Sequence, residues 1–212
     1  SSDKTIKMWD IKTGECLNTF IGHNDLVNSV ITTPDGKYII SGSYDYTIKI
    51  WDIKTGECLN TLKKSYSSGV NSVAIAHYWK YIISASKDSL IKIWNIKTGK
   101  YLNTFKGHND SVTSVTITPD SKYIVSGSYD NTIKIWDIKT GKCINTLKGH
   151  SRHVEIVKLT SNGKKTVSGS DDNTIMIWDI KTGECLNILN GYANFTSSIS
   201  ITPDEKYIIS GS

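Results

Sequence analysis

The chain has no apolar run approaching the roughly 18 residues that a membrane-spanning helix needs. Nowhere is a helical period of apolar residues sustained over three turns, which points to an all-β class. Its four cysteines include no C-x-x-C pair and no Cys/His grouping at metal-ligand spacing. Neither a metal site nor a cofactor is therefore expected. Cys16, Cys58, Cys143 and Cys185 recur at equivalent positions of a repeat, with Tyr101 in the fifth. Equivalent positions stay apart and cannot pair without distortion, so these residues read as reduced thiols of a cytoplasmic or nuclear protein. No charged-then-apolar leader precedes the first repeat, so secretion is not expected.

What the chain does have is a tryptophan every 42 or 43 residues: Trp9, Trp51, Trp94, Trp136 and Trp178. Each is followed by [DN]-I-K-T-G and preceded by alternating apolar residues. A fixed period of this length marks a supersecondary unit repeated in space. Five such units account for nearly all 212 residues, leaving no room for a second domain. The net charge is +5, from 25 basic against 20 acidic residues. Much of the basic character is one repeated lysine, Lys12, Lys54, Lys97, Lys139 and Lys181, which keeps a turn soluble and a sheet edge unpaired.

One unit reads as four strands. Residues 27–32 are β-branched and end at Pro34-Asp35-Gly36; residues 38–43 follow and end at Tyr44-Asp45-Tyr46. Residues 47–51 alternate and close at Lys54-Thr55-Gly56, and residues 58–62 complete an antiparallel meander. A sheet apolar on both faces cannot bury either one alone, whereas side-by-side stacking of units buries both.

The chain resembles the WD-repeat β-propeller family. The resemblance rests on Trp9-Asp10, Trp51-Asp52, Trp136-Asp137 and Trp178-Asp179, with Trp94-Asn95 a variant, and on Gly22-His23, Gly107-His108 and Gly149-His150. It rests also on an Asp six residues before each tryptophan: Asp3, Asp45, Asp88, Asp130 and Asp172. The resemblance implies a buried tetrad in each complete blade. These are His23, Ser41 (or Ser43), Asp45 and Trp51; His108, Ser126 (or Ser128), Asp130 and Trp136; and His150, Ser168 (or Ser170), Asp172 and Trp178. Such a set imitates a Ser-His-Asp catalytic triad, but its equal repetition fits a structural role. Two units lack the histidine, with Lys64-Ser65-Tyr66 and Gly191-Tyr192 in its place, and are expected to be softer.

The reading is one propeller domain over 1–212, with blades at about 21–62, 63–105, 106–147 and 148–189. A fifth blade is shared by 1–20 and 188–212, because the ends hold complementary halves of one unit. The alternative is a piece of a longer array, whose open ring would favour self-association.

In this family the loops of one face bind peptides and proteins. That face carries Leu26, Asn28, Tyr44, Lys87, Ser111, Thr113, Tyr129, His153, Glu155 and Phe195 as candidate partner-binding residues, with Asp171 among the turn positions beside them. The expected function is a non-catalytic scaffold for a protein or peptide partner, with no catalytic residue, cofactor or metal. Binding of nucleic acid or an anionic surface through the lysine ring is the alternative, and a propeller hydrolase using His153, Glu155 or Asp25 the remote one. His77-Tyr78-Trp79, where sister units have Pro-Asp turns, is a further departure on the opposite face.

Overall fold

A computed structural model describes residues 1–63, 68–76, 80–190, 196 and 198–211. Among these residues every element is a strand, and no helix is long and apolar enough to cross a membrane. A hairpin of β1 (Ile6–Trp9) and β2 (Cys16–Phe20) comes first. The first blade is β3 (Val27–Thr32), β4 (Tyr38–Ser43), β5 (Ile48–Asp52) and β6 (Cys58–Leu62). The second is β7 (Val70–Ala76), β8 (Tyr81–Ser86), β9 (Ile91–Asn95) and β10 (Tyr101–Phe105). The third is β11 (Val112–Ile117), β12 (Tyr123–Ser128), β13 (Thr132–Asp137) and β14 (Cys143–Lys148). The fourth is β15 (Val154–Leu159), β16 (Lys165–Ser170), β17 (Thr174–Asp179) and β18 (Cys185–Asn190), and a hairpin of β19 (Ser198–Ile201) and β20 (Ile208–Gly211) ends the order.

Each blade is a four-stranded antiparallel meander, and neighbouring blades meet through their first strands. The core lies between sheets, because strand alternation gives each blade two apolar faces. In β5, Ile48 and Ile50 face the second blade with Val70, Val73 and Trp94. Trp51, on the other face, packs with Phe20, Val27 and Ile39 toward the first hairpin. Phe20 and Trp51 meet edge to face at 5.9 Å, as Phe105 and Trp136 do at 5.8 Å. The sheets approach closely at Gly42, where a Cβ would sit 2.6 Å from Val70 Cγ1.

Polar latches supplement this packing along the first strands. Asn28 Nδ2 donates to Val70 O (3.0 Å), Asn71 Nδ2 to Val112 O (2.8 Å), and Thr113 Oγ1 to Val154 O (2.6 Å). One residue on, the Oγ atoms of Ser29, Ser72 and Ser114 accept the backbone N–H groups of Val73, Val115 and Val157. The fourth blade has Glu155 and Ile156 at these two positions. A carboxylate has no proton to donate and an isoleucine has no hydroxyl. Instead, Ile156 packs with Val167, Ile175 and Ile199.

The terminal hairpins differ from the expected shared blade. They form two separate two-stranded sheets: among the described residues β1 pairs with β2 and β19 with β20, and no ladder joins them. Trp9 is accordingly 56 % exposed, whereas the other four repeat tryptophans are buried. Lys64-Ser65-Tyr66, His77-Tyr78-Trp79, Gly191-Tyr192 and Phe195 lie outside the described residues.

Candidate interaction face

The Ser-His-Asp sets come first, because their burial decides what they can do. In the first blade the Trp51 indole N–H donates to Ser41 Oγ at 2.8 Å. Ser41 Oγ lies 2.7 Å from His23 Nε2, and His23 Nδ1 lies 2.8 Å from Asp45 Oδ2. An ionised carboxylate only accepts, so His23 Nδ1 carries the proton and donates to Asp45, and Nε2 accepts the O–H of Ser41, which in turn accepts the indole N–H. Asp45 also accepts from the Asn24 amide and from the Thr47 amide and hydroxyl. The same relay joins Trp136, Ser126, His108 and Asp130, and Trp178, Ser168, His150 and Asp172. Ser43 does a different job: its hydroxyl donates to Asp25 O and accepts the Asp45 amide.

Burial holds the His23 and His150 imidazoles below their usual range, outweighing the opposite pull of Asp45 and Asp172. Burial pushes the Asp45, Asp130 and Asp172 carboxyls up, but their hydrogen bonds outweigh it and hold them below the usual carboxylate range. The serines are fully buried and their lone pairs and protons are committed within the relay. A nucleophile sealed in this way has no access to substrate.

The second blade has no histidine at this place. Its Trp94 indole donates to Ser84 Oγ at 3.1 Å, and Lys92 Nζ turns inward to Asp88 Oδ2 at 3.3 Å. Both side chains are buried. The equivalent Lys49 and Lys134 reach instead to Thr61 and Thr146 on the outer strands. The expectation of a blade lacking its histidine link is met by a buried ion pair in its stead, which sequence reasoning missed.

The candidate partner-binding residues belong to the turn after each second strand and the entry to each first strand. A backbone bond clamps these two segments in all four blades: Tyr44 N to Leu26 O, Lys87 N to Gly69 O, Tyr129 N to Ser111 O, and Asp171 N to His153 O. The described candidate residues therefore stand in register at equivalent positions of successive blades. Two cross-blade pairs form there. Lys87 Nζ sits 3.8 Å from the centre of the Tyr44 ring, a cation–π contact. The Tyr129 and His153 rings stack at 4.3 Å with 16° between their planes.

The exposure expected for the aromatic and apolar anchors is only partly present. Tyr44 and Leu26 are half-buried, Tyr44 because its ring packs on Gly69, where a Cβ would meet it at 2.5 Å. Ser111 is buried and accepts from Asn71, while Asn28 and Thr113 are engaged in the blade-to-blade latches. Asn71, absent from the candidates, could have been found as the repeat equivalent of Asn28. Tyr129, His153 and Lys87 are exposed, and Glu155 is half-buried beside them. Burial and the Glu155 carboxylate push the Tyr129 phenol up to about 12. Burial and Asp171 push Glu155 above the usual range.

The repeated lysines Lys12, Lys54, Lys97, Lys139 and Lys181 are all exposed, on the turns of the opposite face. Grooves of several hundred Å³ also lie on that face, lined in successive blades by the same turn residues, such as Asp120 with Lys139 and Asn162 with Lys181. They recur because the blades recur.

The family described as WD domain, G-beta repeat matches residues 14–52, 56–95, 99–137 and 141–179. The chain belongs to the WD-repeat family. Among WD-repeat relatives it is similar to a Lissencephaly-1 homolog of Heterostelium pallidum, 56 % identical over 41 residues, which is 19 % of this chain and 10 % of that protein. It is similar also to the nuclear distribution protein PAC1 of Coccidioides posadasii, 49 % identical over 45 residues, 21 % of this chain and 10 % of that protein. A Lissencephaly-1 homolog of Branchiostoma floridae is 57 % identical over 37 residues, 18 % of this chain and 9 % of that protein. Each match spans about a tenth of the relative's length, the size of a single WD repeat.

Proposed function

We propose that this WD-repeat chain is a non-catalytic scaffold of the cytoplasm or nucleus that binds a peptide or protein segment on the face bearing Leu26, Tyr44, Lys87, Tyr129, His153 and Glu155. The unit that binds is residues 1–212 acting as one domain. The observation that carries this reading is the pair of cross-blade contacts, Lys87 on Tyr44 and Tyr129 on His153. They stand at one mouth, outside the tetrads, and present aromatic and charged groups of the kind enriched at recognition hot spots. The serines and histidines that imitate a triad are sealed inside the blades, which speaks against hydrolysis. The lysine ring lies on the face opposite the aromatics, so it does not offer the interleaved cations and stacking rings that single-stranded nucleic acid uses.

The test is a selection of random peptides on immobilised 1–212, followed by affinity measurement on Tyr129→Ala and Tyr44→Ala. Each substitution is expected to weaken selected peptides by tenfold or more with the native circular dichroism retained. Peptides that ignore both substitutions and lose binding with Leu59→Asp on the outer rim overturn the assignment of the face.

A further inference from the structure

The fourth blade departs from the WD repeat at three places that converge. Where its sisters have Leu26 and Ser111 it has His153; where they have Asn28, Asn71 and Thr113 it has Glu155; where they have Tyr44, Lys87 and Tyr129 it has Asp171. The first change introduces an imidazole and the other two introduce carboxylates. Glu155 gives up the latch that Asn28, Asn71 and Thr113 make, and Asp171 places a second negative charge beside it.

We propose that His153, Glu155 and Asp171 bind a divalent transition-metal ion of the zinc class at the mouth of the propeller. Their ligand atoms lie within 4.8 Å of one another, and His153 Nδ1 is 3.4 Å from Asp171 Oδ2. One imidazole nitrogen and two carboxylate oxygens suit Zn²⁺ and its Co²⁺ analogue better than Mg²⁺ or Ca²⁺, which take oxygen alone. Metal–ligand bonds of about 2.0–2.2 Å require the three ligand atoms to draw closer together on binding. The frame is set in advance. The Asp171 amide donates to His153 O at 3.0 Å, fixing the turn against the strand entry. Tyr129 stacks on the His153 ring and fixes its plane, the supporting role that outer groups play around metal ligands.

Two further observations favour a cation over mere surface acidity. Among the described residues no lysine or arginine forms an ion pair with Glu155 or Asp171, and the ion-pair contact of Asp171 is with His153. The three residues also stand together only in this blade, at positions where the WD repeat itself shows neutral or basic alternatives that fold. Sequence spacing conceals the site, since Asp171 is 16 residues beyond Glu155 and joins it only through the β15–β16 pairing. Three protein ligands leave a position open toward solvent, which water or a donor of a bound ligand takes. The expectation of no metal rested on spacing alone.

The experiment is a Co²⁺ titration of 1–212 with its four exposed thiols alkylated, so that sulfur ligation does not compete. A visible d–d band saturating at one equivalent and bleached by Zn²⁺ is expected. In the unaltered sequence, Co²⁺ should shift the ring protons of His153 before those of the other four histidines. Glu155→Asn and Asp171→Tyr, each restoring a residue that sister blades carry, should weaken binding by tenfold or more with native circular dichroism. Absence of the band, a first shift at another histidine, or a band unchanged in both variants overturns the proposal. None of these readouts involves a peptide, so the outcome is separate from that of the proposed function.

Discussion

Lys92 Nζ lies 3.3 Å from Asp88 Oδ2, with both side chains buried, in the blade whose tryptophan relay has no histidine. In the sister blades an imidazole meets the same aspartate, so the two solutions satisfy one need: a buried carboxylate must find a donor. Breaking a buried pair by removing one partner is costly because the other charge is left uncompensated. Lys92→Met, which installs the residue at the equivalent Met176, should destabilise the chain by about 3 kcal/mol. Lys49→Met, whose lysine reaches only Thr61, should cost under about 1 kcal/mol. Urea denaturation of both checks this, and Asp88→Asn added to Lys92→Met should recover part of the loss.

The tetrads predict a pH profile. The folded His23 and His150 imidazoles titrate below their unfolded value of 6.5, so the unfolded chain binds more protons in that range. Their contribution is fully present above pH 6.5 and falls as pH drops below it. The Asp45, Asp130 and Asp172 carboxyls are also depressed, from 3.8, and their contribution is present above that value and lost below it. The urea midpoint should be flat from pH 8 to 7, decline below 6.5, and decline again below 3.8. A midpoint that rises between pH 7 and 5 is incompatible with neutral buried imidazoles.

Backbone conformation predicts a gain. The residue after the repeat aspartate of each blade is left-handed: Tyr46 at φ +67°, Ser89 at +62°, Asn131 at +67° and Asn173 at +65°. Asparagine tolerates this region better than tyrosine does. Tyr46 is exposed, so Tyr46→Asn should stabilise by about 0.5–1 kcal/mol, read as a higher melting temperature.

The relay of Trp51, Ser41, His23 and Asp45 was legible in the sequence because the repeat prints it several times over and each member needs the next. The strands were legible for the same reason: alternation in Ile48, Ile50 and Trp51 marks two buried faces. Lys92 was not, since the same lysine elsewhere in the repeat points outward, and its direction depends on an absence two strands away. The half-burial of Tyr44 depends on Gly69 in the next blade. The separation of the terminal hairpins also escaped the residue arithmetic, because complementary halves establish only that a blade can be completed. The grouping of His153, Glu155 and Asp171 needed the strand pairing that brings a turn back to its own blade's entry.

The side chains that latch one first strand to the next all belong to the earlier blade of each pair, and they stop at Glu155 and Ile156. Three junctions carry directional bonds between their first strands, whereas the last is held by the apolar contact of Ile156 and Ile199 and, at the turns, by Glu205, which accepts from the Ser161 hydroxyl and from the Asn162 amide and side chain. A pull applied along the row of blades therefore loads the polar side of the last junction onto a single carboxylate. With Glu205→Ala, extension should part the chain first between β15 and β19, with the three latched junctions yielding only at higher force.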